Sequence, residues 1–119
     1  MIILADTSIW IDHWHRRDAR FDQLLGDGAV LTHPCVIGEL ALGHIPDRER
    51  TLGYLRLLPS VTEAAHGEVM ALIERRRLWG SGIGWDDAHL LASAMISRVK
   101  LWTKDRRLMT VADAVGWGF

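Results

Sequence analysis

Two short apolar runs constrain this chain more than any other feature: MIILA at residues 1–5 and KLWT at residues 100–103. Each has the length of a buried strand rather than a helix, and each gives way to polar residues. Between them lie segments whose apolar residues recur at helical spacing. Short apolar strands alternating with helices predict an α/β fold with a mainly parallel central sheet. Such sheets carry their sites outside the carboxyl ends of the strands. MIILA runs directly into Asp6, and KLWT, after Lys104, into Asp105. The two strand ends are therefore the first places to look for chemistry.

The rest of the chain fits this scheme. Thr7 or Ser8 can cap a helix carrying Ile9, Trp10 and Trp14, and residues 18–26 suit a second helix before the Gly26–Gly28 turn. AVLT (29–32) reads as a strand. Pro34 suits the first turn of a helix through CVIGELALG. Further helices are expected over 47–57, 63–78, 86–99 and 105–115, with GSGIG (80–84) as a flexible turn and WGF as a final strand. A sheet of about four to five short strands results. At 119 residues the chain is expected to form a single domain, 1–119.

Composition narrows the function classes. The formal charge is −1, so no global attraction draws the chain to nucleic acid or acidic lipid, although twelve Arg against two Lys allow a local phosphate-binding patch. A lone cysteine, Cys35, excludes an internal disulfide, suits a reducing compartment and reads as a small buried residue. MIILA is too short for a signal peptide or a membrane span, and the expectation is a soluble cytoplasmic protein.

Four acids sit where solvation does not explain them. Asp6 follows a buried strand. Glu39 stands among Ile37, Leu40 and Leu42, with Gly38 and Gly43 thinning the polar stripe around it. Asp105 either caps the last helix or serves a site. The pair Asp86–Asp87 divides by periodicity: at 100° per residue, Asp86 falls with His89, Ser93 and Ser97 on a polar face expected to be wet, and so reads as the helix cap. Asp87 falls near Leu91, Ala94 and Met95, on the face expected to turn inward.

Were Asp6, Glu39, Asp87 and Asp105 to converge, each pair about 4 Å apart would repel by roughly 4 kcal/mol at an effective dielectric of 20. Such a cluster must take up protons or a cation. All-oxygen donors favour Mg2+ or Mn2+, which suit phosphate substrates.

The pieces MIILADTSIWIDH, HPCVIGELALG, WDDAHLLASA and LWTKDRRL, in this order and spread over essentially the whole chain, resemble the PIN-domain ribonucleases. More narrowly they resemble the VapC-like toxins of type II toxin–antitoxin pairs. The resemblance implies a PIN-like three-layer α/β/α sandwich and a metal-dependent endoribonuclease in which Asp6, Glu39, Asp87 and Asp105 hold Mg2+ or Mn2+. It assigns supporting places to Thr7, Ser8 and Thr103, with Asp86 as an outer-shell acid. It also implies an RNA substrate, a cognate antitoxin, and a homodimer or larger toxin–antitoxin assembly, with no membrane partner.

Other readings stay open here. Arg16, Arg17, Arg20, Arg75, Arg76, Arg77, Arg106 and Arg107 are all candidates for phosphate contacts. Trp10 and Trp14 could line a groove for a partner. His33 reads as a turn residue and His89 as a polar residue near the site mouth. A non-catalytic RNA- or partner-binding domain, or an acid-site phosphatase with Asp6 as nucleophile, would also fit parts of the pattern; the second lacks an acid two residues after Asp6.

Overall fold

The computed structural model describes all 119 residues. Strand β1 (Ile3–Ala5) is followed by α1 (Thr7–His15) and α2 (Ala19–Gly26), then β2 (Val30–Leu31). Four helices come next: α3 (Pro34–Leu42), α4 (Arg48–Leu57), α5 (His66–Arg76) and α6 (Trp85–Ser97). Strand β3 (Lys100–Trp102) and α7 (Arg106–Ala114) complete the fold.

The sheet is parallel with order β2-β1-β3, flanked by helices. Ile3, Leu4 and Ala5 of β1 are wholly buried, as expected of a central parallel strand covered on both faces. Leu4 pairs with Leu31 on one side and Leu101 on the other. The sheet has three strands, not the four to five expected. Ser60 beside Thr32 and Gly118 beside Leu101 each contribute only a single bridge. Pro59 has no N–H to lengthen the first, and Gly118 no side chain to anchor the second.

The chain leaves β1 toward β2, then crosses back past β1 to reach β3. That reversal opens a crevice at the carboxyl ends of β1 and β3. The Asp6 N–H donates to the Trp102 carbonyl (3.1 Å), so the two strand ends are tied where the crevice begins.

Three expectations need correction. The helix predicted from residue 63 starts at His66, because residues 62–64 are drawn along α6 instead. The Thr62 N–H donates to Ser97 Oγ (2.9 Å) and the Ala64 N–H to Ser93 Oγ (3.0 Å). The polar face of α6 is therefore not uniformly wet: Ser93 is fully buried and pins a neighbouring segment. Trp10 lines no partner groove. It is buried in the core, edge-on to Phe21 at 4.8 Å, with Trp14 packed beside it at 5.9 Å.

His33 is more than a turn residue. It caps α3: Nδ1 accepts from the Cys35 N–H (3.0 Å), while Nε2 lies 3.1 Å from Ser93 Oγ. A backbone donor at Nδ1 leaves the ring proton on Nε2, so neutral His33 donates to Ser93. Burial holds its pKa below the usual histidine value. Cys35 is half-buried, and burial pushes its thiol up, away from reactivity. No helix is long and apolar enough to cross a membrane.

Candidate active site

Asp6 is the anchor of the crevice. Asp6, not Thr7 or Ser8 as expected, is the N-cap of α1: its Oδ1 accepts from the Ser8 N–H (2.9 Å), the Ile9 N–H (3.3 Å) and the Ser8 hydroxyl. Its Oδ2 accepts from the Thr103 hydroxyl. Burial raises its pKa, and these hydrogen bonds oppose that rise by favouring the carboxylate.

Ser8 and Thr103 do a second job. Ser8 Oγ accepts from the Lys104 N–H (2.9 Å), and Thr103 Oγ1 from the Asp105 N–H (3.0 Å). Both hydroxyls thus bridge the Asp6 carboxylate to the turn after β3. Two turns distant in sequence become one rigid unit.

Glu39 projects from α3 toward this unit, with Thr7 Oγ1 3.4 Å from its Oε2. Glu39 is exposed, not short of solvent as its apolar neighbours suggested; partial desolvation first, then the negative charges of Asp86, Asp87 and Asp6, hold its carboxyl above the ordinary glutamate value. These three acids are near enough to Glu39 to act on its charge. Asp86 acts on it more strongly than Asp87 does, and Asp105 is not among them.

The adjacent aspartates behave differently from the helical-face expectation. Asp87, not Asp86, caps α6: the Gly84 N–H donates to Asp87 Oδ2 at 3.0 Å. A carboxylate three residues into a helix reaching back to the N-cap amide is a capping-box half, and Gly84 with Asp87 carries that spacing in the sequence. Helical angle alone missed it. Asp86 is exposed and acts electrostatically on Glu39, Cys35 and His33.

Asp105 is the N-cap of α7, its Oδ1 accepting from the Leu108 N–H at 3.0 Å. The capping reading of this residue is thus met, and the Thr103 hydroxyl places its backbone next to Asp6. The four acids do not form a ready-made cage: no group of three or more His, Cys, Asp or Glu side chains is arranged to hold a metal ion.

The donor chemistry nevertheless fits a hard divalent cation. Asp6, Glu39, Asp86, Asp87 and Asp105 have no Lys or Arg partner among the ion pairs of the fold. Lys104, the nearest lysine in sequence, is paired with Asp12. Carboxylate and hydroxyl oxygens around an uncompensated negative mouth suit Mg2+ or Mn2+ better than softer metals.

Two of the arginines raised as phosphate ligands have other partners. Arg17 pairs with Asp22, and Arg20 lies over the rings of Trp102 (4.8 Å) and Phe119 (4.7 Å). Arg75 and Arg76 line a groove between α5 and α6. Arg107 is exposed and lies against Gly82.

Residues 3–114 match the PIN domain family. The chain is 49% identical over 116 residues to Ribonuclease VapC32 of Mycobacterium tuberculosis, covering 97% of this chain and 94% of that protein, in both the CDC 1551 and H37Rv strains. Among solved structures, PAE2754 from Pyrobaculum aerophilum superposes with a TM-score of 0.61 at 21% identity, over 93% of this chain and 79% of that one, a likeness of fold.

Proposed function

The chain belongs to the PIN-domain family, and from that premise we propose that it is a metal-dependent endoribonuclease acting as the toxin of a toxin–antitoxin pair. Its near-full-length similarity to a ribonuclease supports the nuclease part. The observation that carries the metal-site part is Glu39: desolvation first, and then the charges of Asp86, Asp87 and Asp6, raise its carboxyl, and no Lys or Arg is paired to any of these acids.

In this reading Asp6, Glu39, Asp87 and Asp105 hold Mg2+ or Mn2+, with Asp86 as an outer acid. The bound ion would supply polarisation of a phosphoryl oxygen and a water of lowered pKa for phosphodiester hydrolysis. The protein's own part is positional. Ser8 and Thr103 fix both oxygens of Asp6, Thr7 steadies Glu39, and the Gly84 amide restrains Asp87. Asp6 is already buried, so its oxygens need little reorganisation to meet a cation.

The proposed partners are an RNA substrate, a cognate antitoxin and a second copy of the chain, in the cytoplasm. The test is cleavage of structured RNAs by the purified chain, free of antitoxin, in Mg2+, Mn2+ or EDTA, beside Asp6→Asn and Asp87→Asn. Cleavage that persists fully in EDTA, or that ignores both substitutions, overturns the reading. Growth arrest on expression, relieved by co-expression of a small neighbouring gene, tests the toxin role separately.

A further inference from the structure

Two of the six tryptophans stay at the surface, Trp79 (61% exposed) and Trp85 (43% exposed), and both border the same loop. Together with Gly80, Gly82 and Gly84 they line a cavity of about 220 Å3 whose floor is Ile73, Leu78, Ile83 and Ala88. That is below the roughly 300–1,000 Å3 of a drug-sized ligand pocket and suits one flat group. Trp85 immediately precedes Asp86 and Asp87, so the cavity lies at the end of α6 that carries those two acids.

Trp85 is exposed yet braced. The His66 ring lies 5.1 Å from it and the His89 ring meets it edge-on at 5.9 Å. The polar groups around it are incompletely used. The Gly80, Gly82 and Ile83 amides make no backbone hydrogen bond, and all three residues line the cavity. Backbone donors left unpaired at a cavity wall are free to meet the acceptor edge of a bound planar group.

Arg107 supplies charge at the same place. A Cβ on Gly82 would lie 2.7 Å from Arg107 Cδ and 3.0 Å from Nε, so a side chain there would push the guanidinium away from its present place against the loop. Arg107 has no carboxylate partner.

We infer that the Trp79–Trp85 loop with Arg107 is a slot for one unpaired base of an RNA strand. Trp85 stacks the base, the free amides of Gly80, Gly82 and Ile83 meet its edge, and Arg107 meets an adjacent phosphate. The strand is thereby delivered to Asp86 and Asp87. A flat aromatic face beside a cation is the arrangement that binds single-stranded nucleic acid with tolerance of sequence. The inference rests on the ribonuclease reading for the choice of RNA over another planar ligand.

The test separates binding from cleavage. A fluorescein-labelled single-stranded RNA of mixed sequence is titrated with the full chain in EDTA, followed by anisotropy, with Trp85→Ala, Trp85→Phe, Trp79→Ala and Arg107→Gln alongside. Trp85→Ala weakens binding roughly tenfold, while Trp85→Phe retains most of it. Arg107→Gln lowers the slope of log affinity against log salt by about one. Oligonucleotides with a single abasic nucleotide at successive positions locate the stacked base: one position costs the parent protein affinity and costs Trp85→Ala nothing.

Equal RNA affinity for folded Trp85→Ala and the parent, or abasic penalties identical in both, overturns the slot. So does protection of Trp85 by a protein partner when RNA gives none. If RNA binds through Trp85 and is never cleaved in Mg2+ or Mn2+, the nuclease reading fails and the slot stands. If RNA is cleaved with unchanged KM in Trp85→Ala, the slot fails and the nuclease reading stands.

Discussion

The hydroxyl of Thr103 donates to the carboxylate of Asp6 across 97 residues of sequence and accepts from the backbone of Asp105. One oxygen atom thereby joins the ends of two adjacent parallel strands and holds the acid at the centre of the crevice. Thr103→Val keeps the shape and removes both bonds. Loss of stability by roughly 1–3 kcal/mol in urea unfolding is expected, because Asp6 and the Asp105 amide lose a buried partner. The same hydrogen bond lowers the Asp6 pKa, so its loss moves the acid limb of the pH–rate profile upward. Thr103→Ser restores both readouts.

Asp6 trades stability for function. Burial raises its pKa in the folded chain above the ordinary 3.8. Between 3.8 and that raised value the folded state keeps a proton that the unfolded chain has lost, so stability falls as pH rises through this window. Asp6→Asn removes the cost and keeps an oxygen to accept from Ser8 and Ile9. A higher Tm than the parent at neutral pH without divalent metal is expected, together with loss of RNA cleavage. Added Mn2+ should then raise the Tm of the parent and leave that of Asp6→Asn where it was; a lower metal-free Tm for the variant contradicts the account.

Asp86 and Asp87 can be separated by conservative substitution. Asp87→Asn keeps an acceptor for the Gly84 amide, so its Tm should hold while cleavage falls. An outer position costs roughly 10–100-fold. Asp86→Asn is expected within that range and Asp87→Asn beyond it, measured as kcat/KM on one RNA. The reverse order would make Asp86, the stronger influence on Glu39, the metal-side acid.

Gly82 and Gly80 form a matched pair. Both have positive φ, +87° and +76°, but only at Gly82 does a Cβ meet Arg107. Alanine at either site should cost on the order of 1–2 kcal/mol in stability. Only Gly82→Ala should weaken RNA binding in EDTA, since only it displaces the guanidinium. Equal effects on binding would separate Arg107 from the RNA.

His33 imposes an acid-side limit on stability. Its pKa is lowered by burial. As pH falls below 6.5 the unfolded chain gains a proton that the folded chain refuses, and stability falls until the lowered value is reached. The facing groups are His89, Glu63, Asp86 and Cys35. His33→Asn keeps a side-chain acceptor at the N-cap and should flatten the stability slope below pH 6.5, at a cost of about 1–3 kcal/mol from losing the Ser93 bond. Denaturant midpoints between pH 5 and 7 measure it.

The sequence by itself determined the alternation of short strands and helices, the burial of β1 and the placing of Asp6 and Asp105 at strand ends, because these follow from local periodicity and chain chemistry. Glu39 was read from its apolar neighbours as an acid short of solvent, yet α3 docks with that residue exposed, because packing and not chain neighbours decides which side of a helix faces water. Only the tertiary structure decided how many strands pair, since an edge strand exists by virtue of its neighbour. Only it showed that Ser93 is buried, that Asp87 reaches back to Gly84, and that Thr103 serves Asp6 and Asp105 together. A hydrogen bond between residues 6 and 103 leaves no periodicity in either segment. Its stabilisation depends on a distance that exists only after the sheet has brought the strand ends side by side.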